Sequence, residues 1–304
     1  MTSEVDAILR EVQWRVLGFD RRNPHQPLWT LGLENALSQA LLTAQTRGSG
    51  LVMPADMLHG LLGDTENAAC GVLAQLGVRR IALLVAAKKA DVGEGGNHSR
   101  APIADMLTRY GLVSEQGESG TVSLVVRAIR YVVTRAAEAS PVLADLEFEA
   151  VRQAVRLGHR QVNTAHLLLA VFELDRQLAI AGVSFVEGGL KGNRAGSVLR
   201  ENGLTRDGVL EHVSTIQCLG DAATPRRRRE LRTKQKHPEW TQGAADAADH
   251  SRMLARQGNE DAGSLHLLFS SLRDSAGCAP AVVRALGSDP VAILRDTEQL
   301  LRNN

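Results

Sequence analysis

The sequence contains few aromatic residues and few cysteines, and its charges nearly cancel. Phe, Trp and Tyr make up 3% of the 304 residues, and Cys70, Cys218 and Cys278 show no CxxC or Cys/His spacing. So few aromatics argue against a β-sheet protein and favour helices that pack closely through small side chains. The cysteine pattern argues against a disulfide framework and against a cysteine zinc site. A net charge of +1 gives no overall attraction to nucleic acid or to an anionic membrane.

Targeting and catalytic motifs are also missing from the sequence. No stretch approaches 18 uninterrupted apolar residues, and residues 1–6 lack the basic and apolar regions of a signal peptide. We therefore expect a cytoplasmic location and no membrane partner. The chain has no GxxxxGK[ST], HExxH or GxSxG motif, which argues against a phosphate loop and against the corresponding hydrolase sites. We expect no enzyme, no cofactor and no metal site.

One helical pattern occurs three times in the chain, and a repeat constrains a fold strongly. In the middle copy a long apolar-periodic stretch ends at Gly158, a capping position follows at Thr164, and His166 starts an apolar run. The equivalent residues are Gly48 and Asp56 in the first copy, and Gly258, Ser264 and His266 in the third. A later glycine recurs at matching places of the three copies, namely Gly77, Gly203 and Gly287, and in the first copy it follows the third predicted helix.

The pattern predicts an all-α protein built from three degenerate four-helix units. Each long first helix is expected to stop at its glycine, in the left-handed conformation that glycine adopts readily. Thr164 and Ser264 are expected to cap the second helices of their copies through their hydroxyls. The predicted helices are 30–47, 56–62, 68–76 and 79–90 in the first copy, 141–157 and 165–172 in the second, and 240–256 and 265–272 in the third.

The repeats divide the chain into six segments. Residues 1–28 form an N-terminal extension, and 29–90 form repeat one. An insert at 91–139, with a predicted helix at 122–137, leads to repeat two at 140–220, which carries a loop insert at 176–194. A basic linker at 221–238 precedes repeat three at 239–304.

These motifs resemble those of the Clp N-terminal (Clp repeat) domain family. Leu157-Gly158-His159 and Thr164-Ala165-His166-Leu167-Leu168-Leu169 carry the resemblance most specifically, and repeats three and one match less closely. The resemblance implies a helical domain that stands at the front of Clp unfoldases, pairs two repeats with pseudo-twofold symmetry, and receives adaptors and substrates. We expect a free-standing module here, because the motor that follows it in the unfoldases would need a phosphate loop, which this sequence lacks.

The sequence also differs from the family at a position that recognises ligands. Family members resembling ClpC place an acidic residue between the Thr and the His of each repeat, as their contact for phosphoarginine. The aligned positions here are Ala55, Ala165 and Leu265, which carry no carboxylate. The charge-assisted bonds of that site would be lost, so we do not expect phosphoarginine binding.

The histidines and the arginine cluster each allow two interpretations. His166 and His266 could serve a metal or acid–base site, but they lie in separate repeats, so a structural hydrogen bond at the start of the second helix is favoured. Arg226, Arg227, Arg228 and Arg229 begin a basic segment that extends to Lys236. This segment could contact nucleic acid or another anionic partner, or it could be a solvated linker, which we favour.

Function is expected to be non-enzymatic binding. The favoured partner is a Clp unfoldase or protease component, an adaptor or a peptide, docked on grooves between helices. A narrower form is a decoy that sequesters Clp-directed cyclic peptide antibiotics by mass action. The alternative is a regulator that contacts nucleic acid through Arg226–Lys236.

Overall fold

The chain folds into helices joined by short turns. The structure, a computed structural model, describes residues 4–18, 29–48, 52–93, 102–115, 140–186, 191–215, 237–258 and 260–303. These residues form fourteen α-helices, one short 3-10 helix and four strands of two or three residues. The expected all-α class is confirmed.

The helices follow the order of the repeats, with additional helices before and after repeat one. The first is α1 (Glu4–Leu17). Repeat one contains α2 (Leu31–Thr46), α3 (Pro54–Gly63), α4 (Ala68–Gln75) and α5 (Arg80–Gly93), and α6 (Pro102–Arg109) follows. Repeat two contains α7 (Pro141–Leu157), α8 (Thr164–Ile180), α9 (Ala195–Glu201) and α10 (Arg206–Thr215). Repeat three contains α11 (Gln242–Gln257), α12 (Ser264–Leu272), α13 (Cys278–Ala285) and α14 (Pro290–Arg302).

The strands join segments that are distant in sequence. β1 (Val113–Glu115) pairs antiparallel with β3 (Val183–Phe185), and Val113 lies opposite Phe185. β2 (Gln161–Val162) pairs in parallel with β4 (Glu239–Trp240), so that the turn after α7 is hydrogen-bonded to the residues before α11. Both pairs lie in the part of the chain that holds repeats two and three.

Two compact units divide the chain. Unit one comprises residues 1–2, 10–25 and 101–304, and unit two comprises residues 3–9 and 26–100. Unit one therefore holds repeats two and three, while unit two holds repeat one. The two units are described separately below.

Unit two is organised around the contact between α2 and α3. Thr30 caps α2 through its hydroxyl, which accepts a hydrogen bond from Leu33 N, and Gly48, with φ of +72°, lies just after the end of the helix. At Gly60 the two helices approach so closely that a Cβ atom would lie 2.0 Å from Ala36 O. Only glycine fits there, which explains why this position of repeat one has no side chain.

Repeats two and three pack against each other in unit one. The second helix of repeat two, α8, contacts α12 and α13 of repeat three, and α12 in turn contacts α9 of repeat two. The pairs Leu167 with Leu168 and Leu267 with Leu268, at equivalent positions in α8 and α12, are all buried. The two repeats therefore share one core, and each covers apolar surface of the other.

The expected role of Thr164 and Ser264 as helix caps is wrong. The caps are the residues before them: Asn163, whose side chain accepts from Ala165 N, and Gly263. Thr164 and Ser264 are already the first helical residues of α8 and α12. Their hydroxyls are therefore free to bond outside their own helices.

Each of these hydroxyls bonds to the other repeat. Thr164 Oγ1 accepts a hydrogen bond of 2.9 Å from Ala279 N at the start of α13. Ser264 Oγ accepts one of 3.3 Å from Ala195 N, the first residue of α9. The first turn of a helix has amide groups without an internal acceptor, so each repeat supplies an acceptor to the third helix of its partner.

Several predicted boundaries also need correction. The second helix of repeat two continues to Ile180, so the first residues of the expected loop insert at 176–194 are helical, because buried Leu174 and Leu178 extend its apolar stripe. The first helix of repeat three starts at Gln242, since Trp240 belongs to β4 and Thr241 caps the helix. The sequence did not predict α1, α6 or β1, and the predicted helix at 122–137 lies outside the described residues.

Gly258 differs from Gly48 and Gly158 in its backbone. Gly48 and Gly158 have φ of +72°, as expected for glycines that end a helix in the left-handed conformation. Gly258 lies after α11 with φ of −78°, a value that any residue adopts. The expectation that all three glycines stop their helices in the same way is therefore wrong for repeat three.

The cysteine prediction is wrong at one position. Cys278, buried at the start of α13, is disulfide-bonded, whereas Cys70 is a free thiol. Cys218 lies outside the described residues. A spacing rule fails here because a disulfide depends on proximity in the fold and not on proximity in sequence.

Within the described residues, every individual helix is too short or too polar to span a bilayer. Ala68–Gln75 and Arg80–Ala87 together reach the required length and hydropathy, but they are bent by 110° relative to each other.

We predict that the bond from Thr164 to repeat three contributes to the stability of unit one. Thr164→Val keeps the shape of the side chain but leaves the buried Ala279 N–H without its acceptor, so we expect a loss of about 1–3 kcal/mol in the free energy of unfolding. Urea unfolding followed by circular dichroism measures the change.

The matched control is Thr215→Val, which lies in the same unit and is exposed. The Thr215 hydroxyl bonds only to carbonyls of its own helix. We expect its replacement to change stability by no more than about 0.5 kcal/mol. Equal effects of the two substitutions would contradict the role assigned to Thr164.

Candidate functional site

The junction between the first and second helices of repeat two is built around His166. Its Nδ1 accepts a hydrogen bond of 3.0 Å from Asn163 N, the backbone amide of the residue that caps α8. In a neutral ring Nε2 must then carry the hydrogen, and Nε2 lies 2.9 Å from Nδ1 of His159. His166 therefore joins the start of α8 to the turn that follows α7, and both of its ring nitrogens are engaged.

The other two repeats place different chemistry at the same position. In repeat three, Nδ1 of His266 accepts from Gly263 N at 3.2 Å, and Nε2 lies 3.9 Å from a carboxylate oxygen of Glu260. In repeat one, Oδ2 of Asp56 accepts from Met53 N and from the guanidinium of Arg47, each at 2.7 Å. All three side chains thus occupy the third helical position and accept from the backbone of the capping residue, the geometry of a capping box.

These junctions are suited to holding helices together. Burial, and then the neighbouring His159, keep the pKa of His166 well below its ordinary value. Burial also lowers the pKa of His266. Both rings are therefore neutral at physiological pH. Within the described ranges, no group of three or more His, Cys, Asp and Glu side chains is placed to hold a metal ion.

A serine–histidine pair in repeat three does not form a nucleophile. Nδ1 of His250 lies 2.9 Å from Oγ of Ser270, and the guanidinium of Arg273 contacts Nε2 of the same ring. An arginine can only donate, so Nε2 accepts and the hydrogen of the neutral ring lies on Nδ1. His250 then donates to Ser270 and cannot remove its proton, as a catalytic base would have to do.

An ion-pair network attaches α1 to α7. Glu11 contacts Arg152 at 2.7 Å and Arg156 at 2.9 Å, and Arg152 also contacts Glu149 at 3.1 Å. Burial by itself would raise the pKa of Glu11, but the two arginines outweigh it and lower the pKa to about 2. The network shows that part of the predicted N-terminal extension belongs to the folded body of unit one.

The glycines of the repeat pattern lie where helices end. Gly77, Gly203 and Gly287 follow α4, α9 and α13, with φ of +68°, +80° and +80°. They provide a structural alignment of the third and fourth helices in the three repeats. Arg226, Arg227, Arg228 and Arg229 lie outside the described residues, so their proposed contact with an anionic partner stays a prediction.

The positions aligned with the acidic residue of the family are closed to ligands in unit one. Ala165 and Leu265 are both buried in the core shared by repeats two and three. A ligand could not reach these positions without separating the repeats. The structure therefore adds burial to the missing carboxylate as a reason not to expect phosphoarginine recognition there.

Repeat one has an apolar surface that the other repeats lack. We call it the repeat-one face, formed by Ala69, Val72, Leu73, Leu76 and Val78 on and after α4. Val72 is 54% exposed, whereas its equivalents Val198 and Val282 are 3% and 0% exposed. Val78 is 37% exposed, and its equivalent Leu204 is 1% exposed.

The difference arises from pairing. In unit one, α9 packs against α12 and α14 of repeat three, and α13 packs against α8 and α10 of repeat two. In unit two, the main contacts of α4 among the described helices are with α3 and α5 of its own repeat. The repeat-one face is therefore the surface that a partner repeat covers in unit one. An unpaired third repeat was the one signal in the sequence that could have indicated it.

Comparisons with known proteins identify no family for the chain. No protein-family model and no curated protein matches it. Among solved structures it is similar to the N-terminal domain of the caseinolytic protease associated chaperone ClpD from Arabidopsis thaliana, with a TM-score of 0.37 and 17% identity. The alignment covers 54% of this chain and 98% of that one. So low a similarity supports no statement about function.

We predict that His166 makes the stability of unit one sensitive to acid. Below about pH 6.5, the ordinary pKa of histidine, the unfolded chain binds a proton that folded His166 does not bind. Stability therefore falls as the pH falls, with a contribution of up to about 1.4 kcal/mol per pH unit from this residue. Urea unfolding at intervals from pH 8 to pH 5 measures the slope.

The variant His166→Gln provides the comparison. Its side-chain oxygen can still accept from Asn163 N, but it does not titrate in this range. We expect a shallower loss of stability below pH 6.5 for the variant. The plots of unfolding free energy against pH for wild type and variant should run parallel from pH 7.5 to pH 8, where His166 is neutral in the folded and the unfolded chain. Identical slopes below pH 6.5 would show that His166 is not the responsible group.

Proposed function

We propose that the protein is a non-enzymatic binding protein that docks other proteins through the repeat-one face. The observation that carries the proposal is the exposure of Val72, whose equivalents in repeats two and three are buried. An apolar surface of this kind is uncommon on a protein that acts alone, and it marks a place where another protein binds.

The chemistry of the face favours a helical partner. The face is a ridge of small and branched side chains. It consists of residues at helical spacing along α4, with Val78 just after the helix end: Ala69, Val72, Leu73 and Leu76. Such a ridge packs into the groove between two helices. The partner that matches this geometry is another helical repeat of the same type, as found in a Clp unfoldase or an associated Clp component. An adaptor or a peptide helix would present a smaller surface to the same ridge.

The decoy role is a narrower form of the same proposal. A chain without a motor that binds a Clp-directed cyclic peptide would withhold the peptide from the unfoldase by mass action. Tight binding of such a peptide, with no Clp protein recovered, would favour this form. We place the binding in the cytoplasm on the sequence pattern alone.

The test compares capture of Clp proteins by wild-type chain and by a variant of the face. In Val72→Asp an unpaired carboxylate would have to be desolvated in the docked complex, so we expect at least a tenfold fall in the recovered Clp subunit, about 1.4 kcal/mol or more. Affinity capture from the native cytoplasm, followed by quantitative mass spectrometry, measures the recovery.

Ile81→Asp is the matched control. Ile81 is 73% exposed, and its equivalent Val291 remains 58% exposed although repeat three is paired. This position therefore lies off the pairing surface, and capture should persist in the control. Circular dichroism verifies that both variants fold. Equal recovery of Clp subunits by wild type and Val72→Asp would overturn the proposal.

A further inference from the structure

We propose that the repeat-one face binds the repeat-one face of a second copy of this chain, which makes the protein a homodimer. The inference rests on the proposed function, because it concerns the same surface, on which a second copy would compete with a Clp partner. The argument comes from the pairing of repeats two and three, which shows how two repeats of this sequence cover each other.

The pair in unit one is reciprocal. Repeat two gives Thr164 Oγ1 to Ala279 N, and repeat three gives Ser264 Oγ to Ala195 N, at equivalent positions of the two repeats. The same surface is therefore used on both sides of the contact. A surface that pairs in this way is self-complementary, and two identical copies can join through it about a twofold axis.

Among the described residues, this surface is exposed in repeat one and covered in repeats two and three. Repeats two and three cover each other, since Val198 and Val282 are both buried. In a solution of the pure protein, the remaining partner for a repeat-one face is the repeat-one face of another copy. A dimer contains an even number of repeats, so that each repeat can have a partner.

Side-chain sizes in repeat one fit such a contact. In unit one, Leu286 follows α13 and lies over α10 of the other repeat, where a Cβ atom at Gly208 would be 3.1 Å from Leu286 Cδ2. The corresponding residues of repeat one are Leu76 and Ala82. In the dimer, Leu76 of one copy would meet Ala82 of the other. The contact would have to accommodate the one methyl group by which alanine is larger than glycine.

Repeat one differs from the other repeats in its polar contacts. Pro54 occupies the position of Thr164 and has no hydroxyl, so the reciprocal hydrogen bond cannot form. The start of α4 is instead capped within the repeat, because Asn67 Oδ1 accepts from Ala69 N at 3.0 Å. The Ala69 amide therefore needs no acceptor from a partner copy, so the dimer depends on apolar contact and dissociates reversibly on dilution.

Sedimentation equilibrium of the full chain over a wide range of concentrations tests the inference. We expect a reversible monomer–dimer equilibrium for the wild type. Val72→Asp should raise the dissociation constant at least tenfold, and Ile81→Asp should leave it unchanged within about twofold. A wild type that remains monomeric at all concentrations would overturn the dimer.

Chemical cross-linking tests the geometry of the dimer. Chains carrying Leu76→Cys and chains carrying Ala82→Cys, both in a Cys70→Ser background, are mixed and treated with a short bis-maleimide. We expect the cross-linked dimer to join position 76 of one copy to position 82 of the other, as identified by mass spectrometry of peptides. Cross-links that form equally well from Ile81→Cys to either position would overturn the assigned geometry.

The outcomes separate this inference from the proposed function. A monomeric protein whose capture of Clp subunits is abolished by Val72→Asp would overturn the homodimer and leave the proposed function in place. A monomer in which amide exchange of α4 is as slow as that of α13 would also overturn the homodimer, because a segment of the same chain would then cover the face. A dimer that is disrupted by Val72→Asp supports the inference, even if no Clp subunit is captured.

Discussion

The exchange of contacts between repeats two and three is the constraint on which the fold of unit one depends. Each repeat alone is an open layer of short helices that could not bury its apolar surface. Joining α8 to α12 buries leucines from both sides, and the hydroxyls of Thr164 and Ser264 supply acceptors to amides that would otherwise be buried without one. Apolar burial and backbone hydrogen bonding therefore require the same arrangement.

Repeat one shows what the same sequence pattern does without that exchange. It keeps the junction between its first two helices through Asp56 and Arg47, and it caps α4 with its own Asn67. These polar groups are thus satisfied within the repeat, but Val72 stays exposed. Polar groups can be satisfied by a neighbour in sequence, whereas an apolar surface can be buried only by other surface. For this reason the unpaired repeat is left with an apolar face and not with unsatisfied amides.

The three junctions show how far one position can vary within a repeat. Aspartate with arginine, histidine with histidine, and histidine near glutamate all place an acceptor on the backbone amide of the capping residue. The common requirement is an acceptor at the third helical position. The partner from the preceding turn can change, because its contact adds to the junction and does not create the helix start. Alignment of Asp56 with His166 and His266 was therefore possible from sequence, although the chemistry of the residues differs.

Local features of the chain were predictable from its sequence because they depend on neighbours within one or two turns. The helical class, the helix ends at Gly48 and Gly158, and the equivalence of the repeats follow from periodicity and backbone preference. Tertiary structure decided the rest: that the Thr164 hydroxyl accepts from the amide of Ala279, 115 residues away, that Glu11 holds α1 against α7, and that repeats two and three pair with each other. These outcomes depend on which surfaces meet in space, and the periodicity of a single segment carries no information about the segment that will cover it.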